Sequence, residues 1–289
     1  MTRRKQLPDI MGEALGRVNI RSLEPRVEPG SLAKVVAMPT EPGVPLPGLI
    51  RKLKAMRLKG MALALEEEGR SRTGAGLPFE ERLDVLLDRE AQEREARRLK
   101  TRLKKARLRY PRARLEKVDL RHPRGLDPVL LAGLADLTWV ASGRNLIITG
   151  PTGTGKTYLA CALLHQACLA GRSALYQRLP DLLGEMAATR RQGGWTKLME
   201  TLARVELLAL DDWGLDRLDR EQRRNLLELA ESRYGRSSTL VASPFPADRW
   251  QEVIGGPGLA GPIVDRLVHN AHVMNLKGQS LRRRYPAGE

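Results

Sequence analysis

The chain has 289 residues with 50 Lys and Arg against 34 Asp and Glu, a formal net charge of +16 and a sequence pI near 10.4. Hydrophobic residues make up 42% and charged residues 29%, and no apolar run approaches the roughly 18 residues of a membrane helix, which excludes a transmembrane protein. The basic N-terminus is not followed by an apolar stretch, so no secretory signal is expected and the cytoplasm is the expected location. Cys161 and Cys168 fall seven apart within one expected helix, which separates their Cα atoms by roughly 10 Å, beyond disulfide reach.

Seven of the 18 prolines lie in the first 48 residues, which have no sustained periodicity and are expected to form a flexible extension. From Leu49 the sequence LIRKLKAMRLKGMALALEEE repeats apolar residues at helical intervals with Lys and Arg between them, an amphipathic basic helix. After a Gly and Pro break, a second helical run starts near Glu80, carries Leu83, Leu87, Ala91, Leu99, Leu103, Ala106 and Tyr110, and is expected to end at Pro111. Residues 49–110 are therefore expected to form a small basic helical domain.

Between Arg94 and Arg114 stand eleven Lys or Arg against one acid, Glu95. A run like this is either a solvated helix face or a surface for a phosphate backbone. The near absence of balancing acids favours the second, with Arg97, Lys100, Lys104 and Arg107 as contacts to double-stranded DNA.

Residues 111–289 alternate short apolar strands with helices, which predicts an α/β domain with a five-stranded parallel sheet. Strands are expected near 145–149, 174–177, 205–210, 239–242 and 273–276, and helices near 156–169, 180–190, 220–234, 247–254 and 263–270. The segment GPTGTGKT runs from Gly150 through Pro151, Thr152, Gly153, Thr154 and Gly155 to Lys156 and Thr157, between a strand and a helix. That is the context of a P-loop: glycines curl the backbone so that amides face a phosphate, and the helix adds its positive end. Lys156 suits the β and γ oxygens of ATP, and the Thr157 hydroxyl suits Mg²⁺.

The partner strand VELLALDDWG ends in two acids. Asp211 is placed to hold Mg²⁺ and Asp212 to polarise the attacking water, a role more often given to the longer Glu. Ser243 ends the next strand and is a candidate polar group between the two motifs. The four histidines show no metal-ligand spacing with the cysteines, and no Ser/His/Asp or Cys/His arrangement stands out.

Taken together, KLKAMRLKGMALALEE, FEERLDVLLDRE, RHPRGLD, GPTGTGKTYLACALLHQA, LLALDDWGL, RRNLLELAESRYGRSSTLVAS, DRLVHNAH and LKGQSLRRR resemble the IstB-like helper ATPases of insertion sequences, relatives of DnaC-type helicase loaders in the AAA+ class. The resemblance spans about Leu53 to Arg284. It implies a P-loop AAA+ ATPase that assembles as a homo-oligomer on DNA, works with an IstA-type transposase, and selects or shapes target DNA. It also implies that Arg266 is a finger reaching a neighbouring subunit's ATP and Arg282 a sensor near the γ-phosphate, functions that suit a planar guanidinium. Simpler roles compete: Arg266 as a partner of Asp265, and Arg282 as part of a basic tail. In such an assembly Arg190, Arg191 and Lys197, around the glycines of TRRQGGW, are candidate DNA contacts facing a central channel. Two other readings share the P-loop, a replicative helicase loader and a small-molecule kinase, and the kinase leaves the basic run without a purpose.

Overall fold

A computed structural model describes residues 46–71, 77–256 and 258–281. The expectation for residues 1–48 therefore lies outside the described residues except at its last three positions, and Arg282 lies outside them altogether. No helix among the described residues is long and apolar enough to cross a membrane.

The expected single helix from Leu49 is two: α1, Leu46–Ala55, and α2, Lys59–Ser71. Arg57 takes the left-handed conformation at φ 62°, and this breaks the hydrogen-bond ladder between them. Gly60 in α2 lies directly against the backbone of α3, Phe79–Ala106, where a Cβ would collide with the Arg89 carbonyl and the Glu90 Cα. The Glu90 carboxylate accepts from the Gly60 amide at 2.6 Å and the Met61 amide at 3.3 Å, so it caps the start of α2 from a neighbouring helix.

Helix α3 stops at Ala106 rather than Tyr110, because Arg107 adopts φ 50° and turns Leu108 into the core. Its last turns pack on α6, Lys156–Leu169, and β2, Ala174–Arg178. Two short helices precede the sheet, α4 at Pro128–Ala135 and α5 at Thr138–Ala141. Asp127 caps α4 by accepting from the Val129 and Leu130 amides, with Pro128 in the first turn.

The sheet contains β1 (Asn145–Thr149), β2, β3 (Leu207–Asp211), β4 (Ser238–Ser243) and β5 (Ala271–Asn275), all parallel, in the order β2-β3-β4-β1-β5. The expected five-stranded parallel sheet is borne out. Alternate residues feed two cores, one on each face. Leu146, Ile148, Leu207 and Ala209 join Trp139 and most of α6 on one face. Ile147, Leu208 and Leu210 join Trp213 and Trp250 on the other, under α7 (Leu179–Gln192), α8 (Trp195–Arg204), α9 (Arg220–Arg233), α10 (Trp250–Ile254) and α11 (Ala260–Val268). Burial on both faces explains why the central strands are nearly continuous apolar runs. This order sets the carboxyl ends of β1 and β3 on either side of β4, where loops of an open α/β sheet converge.

Candidate nucleotide site

Beyond β1 the chain curls through three positive-φ glycines, Gly150 at 138°, Gly153 at 87° and Gly155 at 93°. A Cβ at Gly150 would run into the Leu276 carbonyl, one at Gly153 into the Ser280 side chain, and one at Gly155 would lie 2.6 Å from the Arg124 guanidinium. Only glycine satisfies both the backbone and the space here. Helix α6 begins at Lys156 without any side-chain cap, so its first amides are left to the loop, the geometry that binds phosphate. Lys156 Nζ donates to the carbonyl oxygens of Gly150 at 2.7 Å and Pro151 at 2.9 Å, within the curl. Thr152 stands exposed, while Thr154 is buried with its hydroxyl on the Pro151 carbonyl.

The structure brings the two expected metal ligands together. The Thr157 hydroxyl donates to Asp211 Oδ2 at 2.7 Å, linking the first turn of α6 to the end of β3. No group of three or more His, Cys, Asp or Glu side chains suited to a metal occurs among the described residues. A hydroxyl and one carboxylate beside a phosphate cradle fit Mg²⁺, which keeps few protein ligands and completes its shell with phosphate oxygens and water.

Asp212 follows at φ 59°, and its Oδ2 receives Arg178 Nε at 2.6 Å from the end of β2. Ser243 is wholly buried and does lie on the strand between the two motifs. Its hydroxyl, however, donates to the Trp213 carbonyl at 2.9 Å and accepts the Phe245 amide at 3.1 Å, so it ties together the loops after β3 and β4.

Residues without a catalytic signal in the sequence also converge here. Tyr176, buried in β2, donates its hydroxyl to Asp211 Oδ2 at 2.7 Å. Burial and the Asp211 carboxylate push this phenol far above its ordinary range, so it remains a donor. Electrostatic interaction with the same hydroxyl, with Tyr110 and Asp212 adding to the effect, makes the Arg109 guanidinium hold its proton more firmly than usual. Buried Arg124 supports the loop by donating to the Thr154 carbonyl at 3.1 Å and the Asp119 carbonyl at 3.3 Å. A position next to β3 at the carboxyl end of the sheet was the available signal for Tyr176 and Arg178, but it depends on knowing the strand order.

The other candidate residues lie apart from the loop. Arg266, on α11, makes a 2.7 Å ion pair with Asp265 and stacks over Tyr234 with 5.2 Å to the ring centre. Arg190 places its guanidinium 3.8 Å over Trp195 and bonds Asn225 and Glu228, while Arg191 and Lys197 are exposed nearby. On α3, Arg97 pairs with Glu90 and Glu93. Lys100, Lys104 and the adjoining Arg107 are exposed and make no ion pair among the described residues.

Residues 51–287 match the family model of IstB-like ATP binding proteins. The insertion sequence ATP-binding protein y4pL of Sinorhizobium fredii is 47% identical over 232 residues, covering 80% of this chain and 94% of that one. The ATP-binding protein of insertion sequence IS1162 from Pseudomonas fluorescens is 45% identical, covering 68% and 86% respectively. A solved structure of AMPPCP-bound DnaA from Aquifex aeolicus shares the fold, with a TM-score of 0.50 and 20% identity over 58% of this chain and 50% of that chain. With its P-loop and five-stranded parallel sheet, the chain belongs to the family of IstB-like ATP binding proteins.

Proposed function

We propose that this chain is a Mg²⁺-dependent ATPase of an insertion sequence, which assembles on double-stranded DNA with ATP sites between subunits and helps an IstA-type transposase by selecting or remodelling target DNA. The 2.7 Å contact between Thr157 and Asp211, beside an uncapped helix start and a glycine cradle, carries the ATPase reading. The names of the relatives, insertion sequence ATP-binding proteins, support the setting in transposition.

The roles follow from the chemistry of each group. The amides from Gly153 to Lys156 cradle the β-phosphate, and Lys156 exchanges its two carbonyl partners for phosphate oxygens. Thr157 and Asp211 would hold Mg²⁺, which when bound would offset the negative charge of the phosphates. Asp212 orients water and accepts its proton once Arg178 releases the carboxylate. Ser243 fixes the loops that flank this acid, and Arg266 supplies positive charge to the γ-phosphate of an adjacent subunit. Lys100, Lys104 and Arg107, with Arg191 and Lys197, contact phosphates rather than bases.

Electron micrographs of the protein with duplex DNA, with and without ATP, test the assembly. Ordered particles on DNA that require ATP are expected. Protein that binds ATP and never assembles on DNA in any nucleotide state overturns the proposal.

A further inference from the structure

Asp211 takes two hydrogen bonds on the same oxygen, Oδ2, from Thr157 and from Tyr176, each at 2.7 Å. Thr157 is also a metal ligand in the function proposed above, so when its oxygen turns to a cation, Tyr176 is the donor that still fixes the carboxylate. Buried tyrosines need a hydroxyl partner of some kind. This one is spent on the metal-binding acid rather than on a main-chain carbonyl.

The phenol is itself tied to the basic segment. The end of α3 packs on β2, where Ala106 and Leu108 share a buried cluster with Tyr176, and Arg109, three residues past that end, interacts electrostatically with the Tyr176 hydroxyl. Leu108 lies in the same buried cluster as Tyr176 and Cys161, and the Tyr110 ring stands 6.2 Å from that of Tyr158 in the first turn of α6. Arg102, in the last turns of α3, donates to the Cys168 carbonyl at 2.9 Å, so the segment from Arg102 to Tyr110 touches α6 near both of its ends. A displacement of the exposed cations of α3 therefore reaches Arg109 through a short, packed connection.

We propose that Tyr176 is a positioning residue for Asp211 and that Arg109 joins it to the end of the basic helix, so that the divalent-cation site and a polyanion bound on α3 influence one another. The inference rests on the ATPase reading above and adds to it the residues that couple its two sites. Coupling of this kind is reciprocal: whatever factor DNA applies to Mg²⁺-nucleotide binding, the nucleotide applies to DNA binding.

The test is binding, with a fluorescent ADP as probe titrated in EDTA and at graded Mg²⁺, with and without a 30-base-pair duplex. Tyr176→Phe keeps the ring and removes only the donor. It is expected to raise the Mg²⁺ concentration for half-maximal binding by about tenfold, as loss of a ligand's supporting hydrogen bond does elsewhere, and to leave affinity in EDTA and the melting temperature nearly unchanged. Arg109→Gln is expected to reduce the effect of duplex on the Mg²⁺ requirement, and a duplex effect as large as that of the wild type overturns the link through Arg109. A Tyr176→Phe protein with lowered melting temperature and an unchanged Mg²⁺ requirement has lost packing only, which overturns the proposal. So does a wild-type protein whose Mg²⁺ requirement ignores the duplex. Lys156→Ala separates the two levels: if it binds the probe as the wild type does, the P-loop reading fails and the coupling with it, whereas loss of binding in Lys156→Ala alongside an unaltered Tyr176→Phe protein overturns the coupling alone.

Discussion

Arg178 and Asp212 close a 2.6 Å ion pair across the carboxyl ends of β2 and β3, next to the register pair Arg178 and Asp211. The acid proposed to orient water is thus already engaged by a cation of its own chain. Its two partners are 39% and 27% exposed, so the pair contributes at most about 1 kcal/mol. Arg178→Ala is expected to raise DNA-independent ATP turnover by up to about fivefold, the rate equivalent of that energy. Steady-state phosphate release checks this, and a fall in turnover means that Arg178 assists Asp212 instead of restraining it.

Lys156 and Gly150 contribute to the same loop in different ways, and substitutions separate them. Lys156→Ala removes a charge from a half-buried surface, so nucleotide binding is expected to be lost with little change in melting temperature. At Gly150 a Cβ meets the Leu276 backbone at φ 138°, and strain of this kind costs about 1–3 kcal/mol before any clash is relieved. Gly150→Ala is expected to lower the melting temperature as well as to abolish binding. Calorimetry on both proteins distinguishes the two effects.

What the sequence made legible was local. Gly150, Gly155, Lys156 and Thr157 form one contiguous pattern, and Asp211 sits at the end of an apolar run, so both halves of the nucleotide site were visible without the fold. Tyr176 and Arg178 were not, because their chemistry arises only from β2 lying beside β3 in a particular register, a non-local pairing. Arg190 shows the converse: its sequence neighbours suggest a free basic cluster, but the turn between α7 and α8 brings Trp195 under its guanidinium. The break at Arg57 has no sequence signal, because neither Gly nor Pro marks it and the amphipathic pattern runs across it. Helix α8 did carry a signal, with Trp195, Leu198, Met199 and Leu202 at helical spacing, but it is only ten residues long.

Glu90 predicts a pH response confined to the helical hairpin. Burial raises its pKa, but the Arg94 guanidinium and the Gly60 and Met61 amides together hold it below the ordinary 4.5. The folded carboxyl thus loses its proton at lower pH than the unfolded one. Its stabilising contribution is complete above the ordinary value and disappears as pH falls through the lowered one. Hydrogen exchange in α2 should accelerate, beyond its intrinsic pH dependence, as pH drops from about 6 to about 3, and this extra change should be absent in Glu90→Gln. Glu90→Ala leaves two amides and an arginine without their acceptor and should cost about 1–3 kcal/mol. Equal pH profiles for the wild type and Glu90→Gln would remove Glu90 as the cause.

DNA affinity should depend on salt through the exposed cations of α3. Lys100, Lys104 and Arg107 are free of ion pairs among the described residues, whereas Arg97 already pairs with two acids. Replacing the first three together with Gln should lower the slope of log affinity against log salt by up to about 0.9 for each phosphate that is no longer neutralised. Arg97→Gln should change the slope less than any one of them. If the triple variant keeps the parent slope, α3 is a solvated face and the phosphates are held elsewhere, with Arg191 and Lys197 next to be replaced.

Arg266 decides whether hydrolysis belongs to one subunit or to the assembly. Within its own chain it pairs with Asp265 and covers Tyr234, interactions that need no second copy. As a finger in trans it completes a neighbour's site, so Arg266→Ala should still bind ATP through its intact P-loop but lose hydrolysis by about 10³-fold or more, as other phosphoryl-transfer sites do without their arginine. Lys156→Ala should be inactive for the opposite reason, since it keeps the finger and lacks the site. In a mixture of the two, some interfaces join an intact P-loop from the first to an intact Arg266 from the second. Those interfaces should recover activity above that of either protein alone, with a maximum at an intermediate ratio. The measurement is ATP turnover across mixing ratios on duplex DNA, with co-assembly verified by tagging one variant and recovering the other. Verified co-assembly without recovery, or normal hydrolysis by Arg266→Ala alone, leaves this arginine as the partner of Asp265 and nothing more.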